Sequence, residues 1–157
     1  MKFKLIRKDY YSKLSNFDPS NFLLESGRRP HCIILNLKFR DNNYNFAIPF
    51  RSNINSNVPK HTYFSLPTRY STKSHRIHGL HFIKMFPVHN FFLDKISIST
   101  DFMNQIRYIE KHKNEVQELA QNYLFNYENG NREMFCLDLD GILNIYFDTL
   151  KNHIKIK

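Results

Sequence analysis

The stretch His31–Phe39 (HCIILNLKF), followed by RDNN and then YNFAIP, decides the fold. Its β-branched and aliphatic residues, in alternation toward its end, predict a strand. Arg40–Asn43 supplies turn residues and Tyr44–Pro49 alternates again, so the two segments predict a β-hairpin. Because proline has no N–H to donate, we expect pairing to end at Pro49 and the chain to enter a loop at Arg51-Ser52-Asn53.

Shorter periodic segments flank this hairpin. Lys2–Ile6 alternates polar and apolar residues and predicts a first strand. Asp9–Asn16 predicts a short helix with Asp9 as its cap, and the chain from 18 to 30 predicts a break and a loop. Further extended segments are predicted at His61–Leu66, Leu80–Phe86, Phe91–Ile98 and, more weakly, Met134–Leu137.

The C-terminal third has the periodicity of helices. A helix capped by Asp101 is expected from Phe102 to about Tyr127, ending at Asn129-Gly130. Its apolar residues recur at three- and four-residue steps and predict one buried face. A final helix is expected from Asp138 or Asp140. No repeat or linker divides the 157 residues, so the sequence predicts one α+β domain over 1–157.

Charge is the second organising feature. No Asp or Glu occurs between Asn42 and Leu93, and the whole chain has a formal net charge of +9. Such a stretch is typical of a surface that binds a polyanion, although drift in the composition of a basic protein would give the same pattern. The cationic and imidazole side chains of the stretch are Arg51, Lys60, His61, Arg69, Lys73, His75, Arg76, His78, His81, Lys84 and His89.

Several classes of protein are disfavoured by composition. No apolar run approaches the length of a membrane span and the N-terminus lacks the pattern of a signal peptide, so we expect a cytoplasmic protein without membrane contact. Cys32 and Cys136 lie in apolar surroundings and are expected to be buried free thiols. We expect no metal and no cofactor: Asp138 and Asp140 have a ligand-like spacing, but they stand where a helix cap is needed.

The candidate chemistry lies in Arg51-Ser52-Asn53. A guanidinium, a hydroxyl and an amide at a strand end can converge on one phosphate, although the same residues are common in a solvated turn. Metal-free RNA cleavage needs a group that removes the 2′-OH proton, a group that protonates the leaving 5′-oxygen, and cations around the phosphorane. The acid-free stretch contains all three kinds of group. Tyr10, Tyr44, Tyr63 and Tyr70 are candidates either for base stacking or for the core.

Several sequence motifs, taken in their order along the chain, resemble those of one protein family. MKFKLI with DYYSKLSNFD, then RRPHCIILNL, YNFAIPFRSN and GLHFIKMF are similar to the toxins of type III toxin–antitoxin systems (ToxN, AbiQ, CptN and TenpN), nearest the CptN and TenpN branch. The resemblance implies a strongly twisted antiparallel sheet like that of Kid and MazF, with flanking helices. It also implies a metal-independent endoribonuclease that leaves 2′,3′-cyclic phosphate and 5′-hydroxyl ends on cellular or phage mRNA. A pseudoknotted repeat RNA would inhibit the toxin in a closed heteromeric complex, in defence against phage by abortive infection.

The resemblance also implies site residues. The family phrase Pro-Leu-Thr-Ser-Pro-Lys appears as Pro49-Phe50-Arg51-Ser52-Asn53-Ile54, so Ser52 keeps the serine, Arg51 replaces the threonine and the lysine is absent. In GLHFIKMF, His81 stands where relatives often have aspartate and Lys84 matches a recurring lysine. Arg28 or Arg29 falls near another basic position of the family.

The resulting hypothesis assigns two groups of residues. Ser52 positions the scissile phosphate, Arg51 and Lys84 stabilise its charge, and His81 is the candidate acid or base. The remaining RNA-binding residues are expected to be Arg28, Arg29, Asn53, Lys60, His61, Arg69, Lys73, His75, Arg76 and His78. The alternatives are a non-catalytic RNA-binding or translation-associated module, and a metal-dependent hydrolase that uses Asp138, Asp140 and histidines.

Overall fold

An antiparallel sheet forms the frame of the protein in the computed structural model, which describes residues 1–17, 31–97 and 99–154. Across these residues the sheet has seven strands in the order β4-β5-β3-β2-β1-β7, with β6 pairing to β3. The strands are β1 Lys2–Ile6, β2 His31–Phe39, β3 Asn42–Asn55, β4 Tyr63–Ser65, β5 Arg76–His81, β6 Phe86–Pro87 and β7 Leu93–Asp94. The helices of the same residues are α1 Lys8–Phe17, α2 Thr100–Lys111, α3 Lys113–Glu128 and α4 Leu139–Ile154.

This architecture confirms the predicted α+β class, with an antiparallel sheet, flanking helices and a C-terminal helix. The single-domain organisation and the likeness to Kid and MazF stay predictions. The loop predicted between residues 18 and 30, including Arg28 and Arg29, lies outside the described residues.

The β2–β3 hairpin is present with a tighter turn than predicted. Phe39 pairs with Asn42, so the turn has only Arg40 and Asp41 at its centre, both left-handed at φ 48° and 61°. Two left-handed residues in succession match the twist of the flanking strands. The Arg40 N–H donates to Glu128, and its guanidinium donates to both Asp140 oxygens at 2.9 Å, so two helices hold this turn in place.

Strand β3 does not end at Pro49, so that prediction is wrong. Pairing with β2 stops at Cys32–Pro49, but the same strand continues by pairing with β5 from Phe50–Leu80 onward. Because proline has no N–H, it ends hydrogen bonding only along the strand edge on which that N–H would have to donate. The segment expected to be a loop after Pro49 is therefore the second half of a 14-residue strand.

Other strand boundaries differ from the sequence prediction. β5 begins at Arg76, and Phe82–Lys84 is a 3₁₀ turn rather than the middle of a strand. The segments predicted from His61 and from Phe91 likewise begin with 3₁₀ turns and contain only β4 and β7. Met134–Leu137 is not a strand. Short strands joined by 3₁₀ turns let the chain bend while the apolar residues stay buried.

The predicted long helix is two helices, α2 and α3, that meet at His112. The backbone of His112 leaves the helical region, its Nδ1 donates to the Tyr108 carbonyl at 2.8 Å, and its ring lies 5.9 Å from the Phe64 ring. Ser99, not Asp101, caps α2 through its side chain. The predicted apolar face is confirmed as buried: Phe102, Ile106, Ile109, Val116, Ala120, Tyr123 and Tyr127.

Two smaller predictions have mixed outcomes. Asp138 caps α4 by accepting the Gly141 N–H at 3.1 Å, as expected for one of the two aspartates, whereas Asp140 binds Arg40 and Arg132. Cys32 is a fully buried free thiol, but Cys136 is free and only half-buried.

Candidate active site on strands β3 and β5

A β-bulge lies at the residues that the sequence singled out. Arg51 pairs with Gly79 and Ile54 pairs with Ile77, so Ser52 and Asn53 together face the single residue His78. A two-against-one bulge bends the strand and redirects its side chains, and such bulges are frequent beside active sites. Arg51, Ser52 and Asn53 are all partly exposed there.

His78 holds the bulge from the opposite strand. Its Nδ1 lies 3.1 Å from the Arg51 carbonyl oxygen, and since a carbonyl only accepts, Nδ1 carries the proton. Burial lowers the pKa of His78, with a further lowering by Arg69, and the bond to Arg51 acts in the other direction. A neutral His78 with this tautomer keeps a lone pair on Nε2.

The ring of His78 lies on the side of the sheet covered by α2. The side chains that influence its charge come from Arg69, Asp101 and Gln105, and Phe50 contacts Phe102 of α2 at 4.9 Å between ring centroids. Arg69 pairs with Asp101 at 2.6 Å. His78 is therefore a buried group behind the bulge rather than part of an open RNA surface.

His81 occupies the other side of the sheet. Side chains alternate along a strand, so residues 78 and 81 of β5 point to opposite faces. Burial, together with the cations Arg51 and Lys84, lowers the pKa of His81 to about 3. His81 is thus neutral at neutral pH, and neither ring nitrogen hydrogen-bonds to any residue that the structure describes.

Lys84 is a buried cation. The residue is only 6% exposed, and its Nζ donates to the Phe135 carbonyl oxygen at 2.7 Å. Lys84 and Arg51 both lower the pKa of His81, so their positive charges act on the same imidazole. The structure therefore brings Arg51, His81 and Lys84 together, with Ser52 next to Arg51 in the bulge.

Gly79 makes this strand arrangement possible. A Cβ atom at Gly79 would lie 2.4 Å from the Phe64 carbonyl oxygen of β4. The absence of a side chain lets β4 approach β5, and the pairing of Tyr63 with His81 then places a tyrosine beside the candidate base. No local pattern in the sequence indicates that Tyr63 pairs with His81.

Asn53 supports a loop. Its Oδ1 accepts the Lys73 backbone N–H at 2.9 Å, and its Nδ2 donates to the Ser71 carbonyl at 3.4 Å. The loop 66–75 that it holds presents Tyr70, which is 94% exposed. The exposed side chains predicted to bind RNA in and beside this loop are Lys73, His75 and Arg76.

Acidic residues from outside the acid-free stretch reach its surface. Besides Asp101 on Arg69, Glu133 pairs with His61 at 2.6 Å between Oε1 and Nε2. Lys60 is exposed beside His61. Sequence composition alone missed these carboxylates because they come from α2 and from the segment before α4.

Burial decides between the predicted alternatives for one of the tyrosines, Tyr10. Tyr10 is fully buried and donates to the Pro87 carbonyl at 2.8 Å, so it belongs to the core. Tyr63 is partly exposed.

His31, at the start of β2, contacts the Phe102 ring at 5.4 Å between ring centroids, and burial and Arg69 lower its pKa.

Comparison with known proteins identifies similar chains. A family model described as toxin ToxN of the type III toxin–antitoxin system matches residues 2–146. No curated protein sequence matches the chain. No helix among the described residues has both the length and the apolarity of a membrane span.

Solved structures share the fold over nearly the whole chain. One, described as AbiQ, a lactococcal anti-phage endoribonuclease of the type III toxin–antitoxin system, has a TM-score of 0.71 at 15% identity and covers 96% of this chain and 98% of its own. A second, from work on a processed non-coding RNA that regulates a bacterial antiviral system, has a TM-score of 0.68 at 15% identity over 94% and 98%. A third, from work on selective toxin inhibition by a non-coding RNA pseudoknot, has 0.66 at 14% over 94% and 96%.

Proposed function

This chain belongs to the ToxN toxin family of type III toxin–antitoxin systems, and on that premise we propose that it is a metal-independent endoribonuclease toxin. The resemblance of the sequence to that family is thereby confirmed, while the narrower CptN and TenpN branch stays a prediction. We propose cytoplasmic action on cellular or phage mRNA, in abortive infection. The observation that carries the proposal is the bulge that presents Arg51 and Ser52 inside the span matched by the family model.

The proposed reaction is attack of a 2′-oxygen on the adjacent phosphorus. The 2′-O–P bond forms as the P–5′-O bond breaks; the 2′-OH proton passes to the base and solvent water supplies a proton to the leaving oxygen, which gives a 2′,3′-cyclic phosphate and a 5′-hydroxyl. Ser52 would donate a hydrogen bond to a phosphate oxygen, and Arg51 would stabilise the charge that develops on the phosphorane.

His81 and Lys84 complete the proposed chemistry. A neutral imidazole can accept a proton, so His81 would act as base toward the 2′-OH once a bound phosphate raises its pKa from about 3. Lys84, with its ammonium held by the Phe135 carbonyl, contributes a fixed positive charge behind His81. Entry of an anionic phosphate beside these cations would favour the protonated imidazole that the reaction produces.

The proposed inhibitor is a pseudoknotted repeat RNA that assembles with the toxin into a closed heteromeric complex. The support is the family match, the net charge of +9 and the exposed cations Lys73 and Arg76 beside the bulge. RNA that covers this surface would block access of a substrate to Ser52.

A serine substitution tests the proposal. Ser52→Ala should abolish growth inhibition and reduce cleavage by at least tenfold, because it removes a donor to the reacting phosphate. The matched control is Ser12→Ala, which removes an exposed hydroxyl on α1 and should retain full activity. Thermal melting of both variants should stay within a few degrees of wild type, which separates loss of chemistry from unfolding.

The same assay separates the alternatives. Purified protein incubated with mRNA in EDTA should yield fragments with cyclic phosphate ends. Intact RNA with a salt-dependent mobility shift would instead support the binding module, and activity that EDTA abolishes would support the metal-dependent hydrolase. Full toxicity of Ser52→Ala would refute the role given to Ser52.

A further inference from the structure

Two large apolar side chains are exposed in the turn between α3 and α4. Met134 is 76% exposed and Phe135 is 57% exposed. Large apolar side chains next to each other on a surface frequently mark an interaction site. The proposed chemistry uses the Phe135 carbonyl as a partner for Lys84 but gives no role to either side chain.

The backbone of this turn is held in an unfavourable conformation. Phe135 has φ +64°, in the left-handed region that residues with a Cβ seldom adopt. Non-glycine residues in this region persist where the surrounding structure fixes them, and they are enriched at ligand-binding sites. Glycine at this position would avoid the strain.

Three contacts fix the turn against the candidate site. Lys84 Nζ donates to the Phe135 carbonyl at 2.7 Å, and the Leu137 N–H donates to the Ile83 carbonyl at 3.4 Å. On the other side, Glu133 pairs with His61 at 2.6 Å. The turn is thus attached to the 3₁₀ segment that carries Lys84 and to the residues just before β4.

The position of the turn defines what can reach it. Its carbonyl contacts Lys84, and Lys84 and Arg51 together act on His81. The Leu137 N–H bond to Ile83 holds the turn two residues from His81, and His81 lies on the same face of β5 as Gly79, the strand partner of Arg51. An RNA strand with a phosphate at Arg51 would therefore pass near the Phe135 ring. Unpaired bases bind proteins by stacking on exposed aromatic rings next to cations.

We propose that Phe135 is a stacking platform for one unpaired nucleobase of RNA, with Met134 covering the edge of that base. The inference rests on the proposed function, since it assigns a base-binding subsite to the same site. Two side chains are a small apolar area compared with a stable protein interface, which favours a single base over a protein partner.

Four variants test the platform. Phe135→Ala removes the ring, Phe135→Leu keeps apolar bulk without an aromatic face, Phe135→Trp keeps stacking, and Phe135→Gly also relieves the left-handed backbone. The matched control is Phe125→Ala, which removes a 63% exposed phenylalanine from α3. The probe is a fluorescein-labelled 2′-O-methyl oligonucleotide of mixed sequence, which has no free 2′-OH and cannot be cleaved by the proposed reaction.

Binding of this probe is measured by fluorescence anisotropy, and melting temperatures are recorded for each variant. We expect Kd to rise about 5- to 100-fold for Phe135→Ala, Phe135→Leu and Phe135→Gly, the loss typical of one base–aromatic stack. Phe135→Trp and Phe125→Ala should bind within about twofold of wild type. Phe135→Gly should bind weakly although it melts at the wild-type temperature or above it.

Wild-type affinity in Phe135→Gly or Phe135→Leu would overturn the platform, and so would an equal loss in Phe125→Ala. A change of oligomeric state in Phe135→Ala without a change in RNA affinity would point to a protein interface and would also overturn it. Because the probe is not cleaved, failure of the proposed nuclease activity is visible separately in the Ser52→Ala assay.

Discussion

At the scale of single residues, we expect His78 to be a positioning group for the proposed reaction. Its Nδ1–H donates to the Arg51 carbonyl from the strand opposite the bulge. An asparagine amide can replace an Nδ1–H donor, whereas a glutamine amide reaches toward the position of Nε2. His78→Asn should therefore keep kcat within about threefold, and His78→Gln should lower it about 10- to 100-fold through misplacement of Arg51 and Ser52.

The measurement for His78 is single-turnover cleavage of a short RNA over a range of protein concentrations. The loss in His78→Gln should fall on the cleavage rate, with apparent affinity nearly unchanged, since phosphate-binding cations remain. Equal stability of the two variants in urea provides the folding control. Equal activity in both would show that the bond to Arg51 does not position the site.

His81 should make folding stability depend on pH. Its pKa is about 3 in the folded protein against an ordinary value of 6.5, so the unfolded chain binds a proton that the folded chain does not between these limits. Stability is full above pH 6.5 and falls as the pH drops toward 3. From pH 7 to 5, His81 alone should lower the free energy of unfolding by about 2 kcal/mol.

Urea titrations at pH 7 and pH 5 measure this contribution. His81→Gln should show a pH dependence smaller by about 2 kcal/mol, because glutamine does not titrate. His75→Asn, a change of an exposed left-handed histidine to a residue that tolerates that conformation, should keep the wild-type dependence. An unchanged dependence in His81→Gln would mean that His81 is protonated or solvated in the folded state.

At the scale of elements, the sequence predicted those features that a local residue pattern determines. Alternation and turn residues located the β2–β3 hairpin, and three- and four-residue spacing identified the buried face of α2 and α3. The break at His112 was missed because the apolar face continues across it; the contact of the His112 ring with Phe64 comes from β4, far away in the sequence. Such tertiary contacts leave no local signal.

The bulge itself was not predictable for a similar reason. Pro49 correctly signalled the end of pairing with β2, but a sequence cannot show that the other edge of β3 takes β5 as its partner. The one-residue shift at Ser52 and Asn53 depends on the register of that distant strand. Sequence reasoning proposed the candidate residues, and the fold shows that His78 and His81 lie on opposite faces of the sheet.

At the scale of the whole molecule, the acid-free stretch divides into parts with different surroundings. His78, His81 and Lys84 are buried within the fold, while His61 and Arg69 are paired with carboxylates from elsewhere. The exposed cations of the stretch are Lys60, which lies before β4, and Lys73 and Arg76, which lie in and beside the loop 66–75. This distribution favours substrate chemistry at the bulge and a larger RNA contact along the loop.

The division of labour is testable with paired charge removals. Lys73→Ala with Arg76→Ala removes two exposed cations of this surface, and Lys111→Ala with Lys113→Ala removes two exposed cations of α2 and α3 as the control. Because each lost phosphate contact lowers the salt dependence of binding, the first pair should reduce the slope of log K against log salt by about 1 to 2. Its affinity for the proposed inhibitor, a pseudoknotted repeat RNA, should fall at least tenfold, while cleavage of a short single-stranded substrate should slow by less than threefold. The control pair should leave the slope and the cleavage rate near wild type. If the first pair slows cleavage more than it weakens binding of the folded RNA, the loop serves the substrate and the inhibitor binds elsewhere.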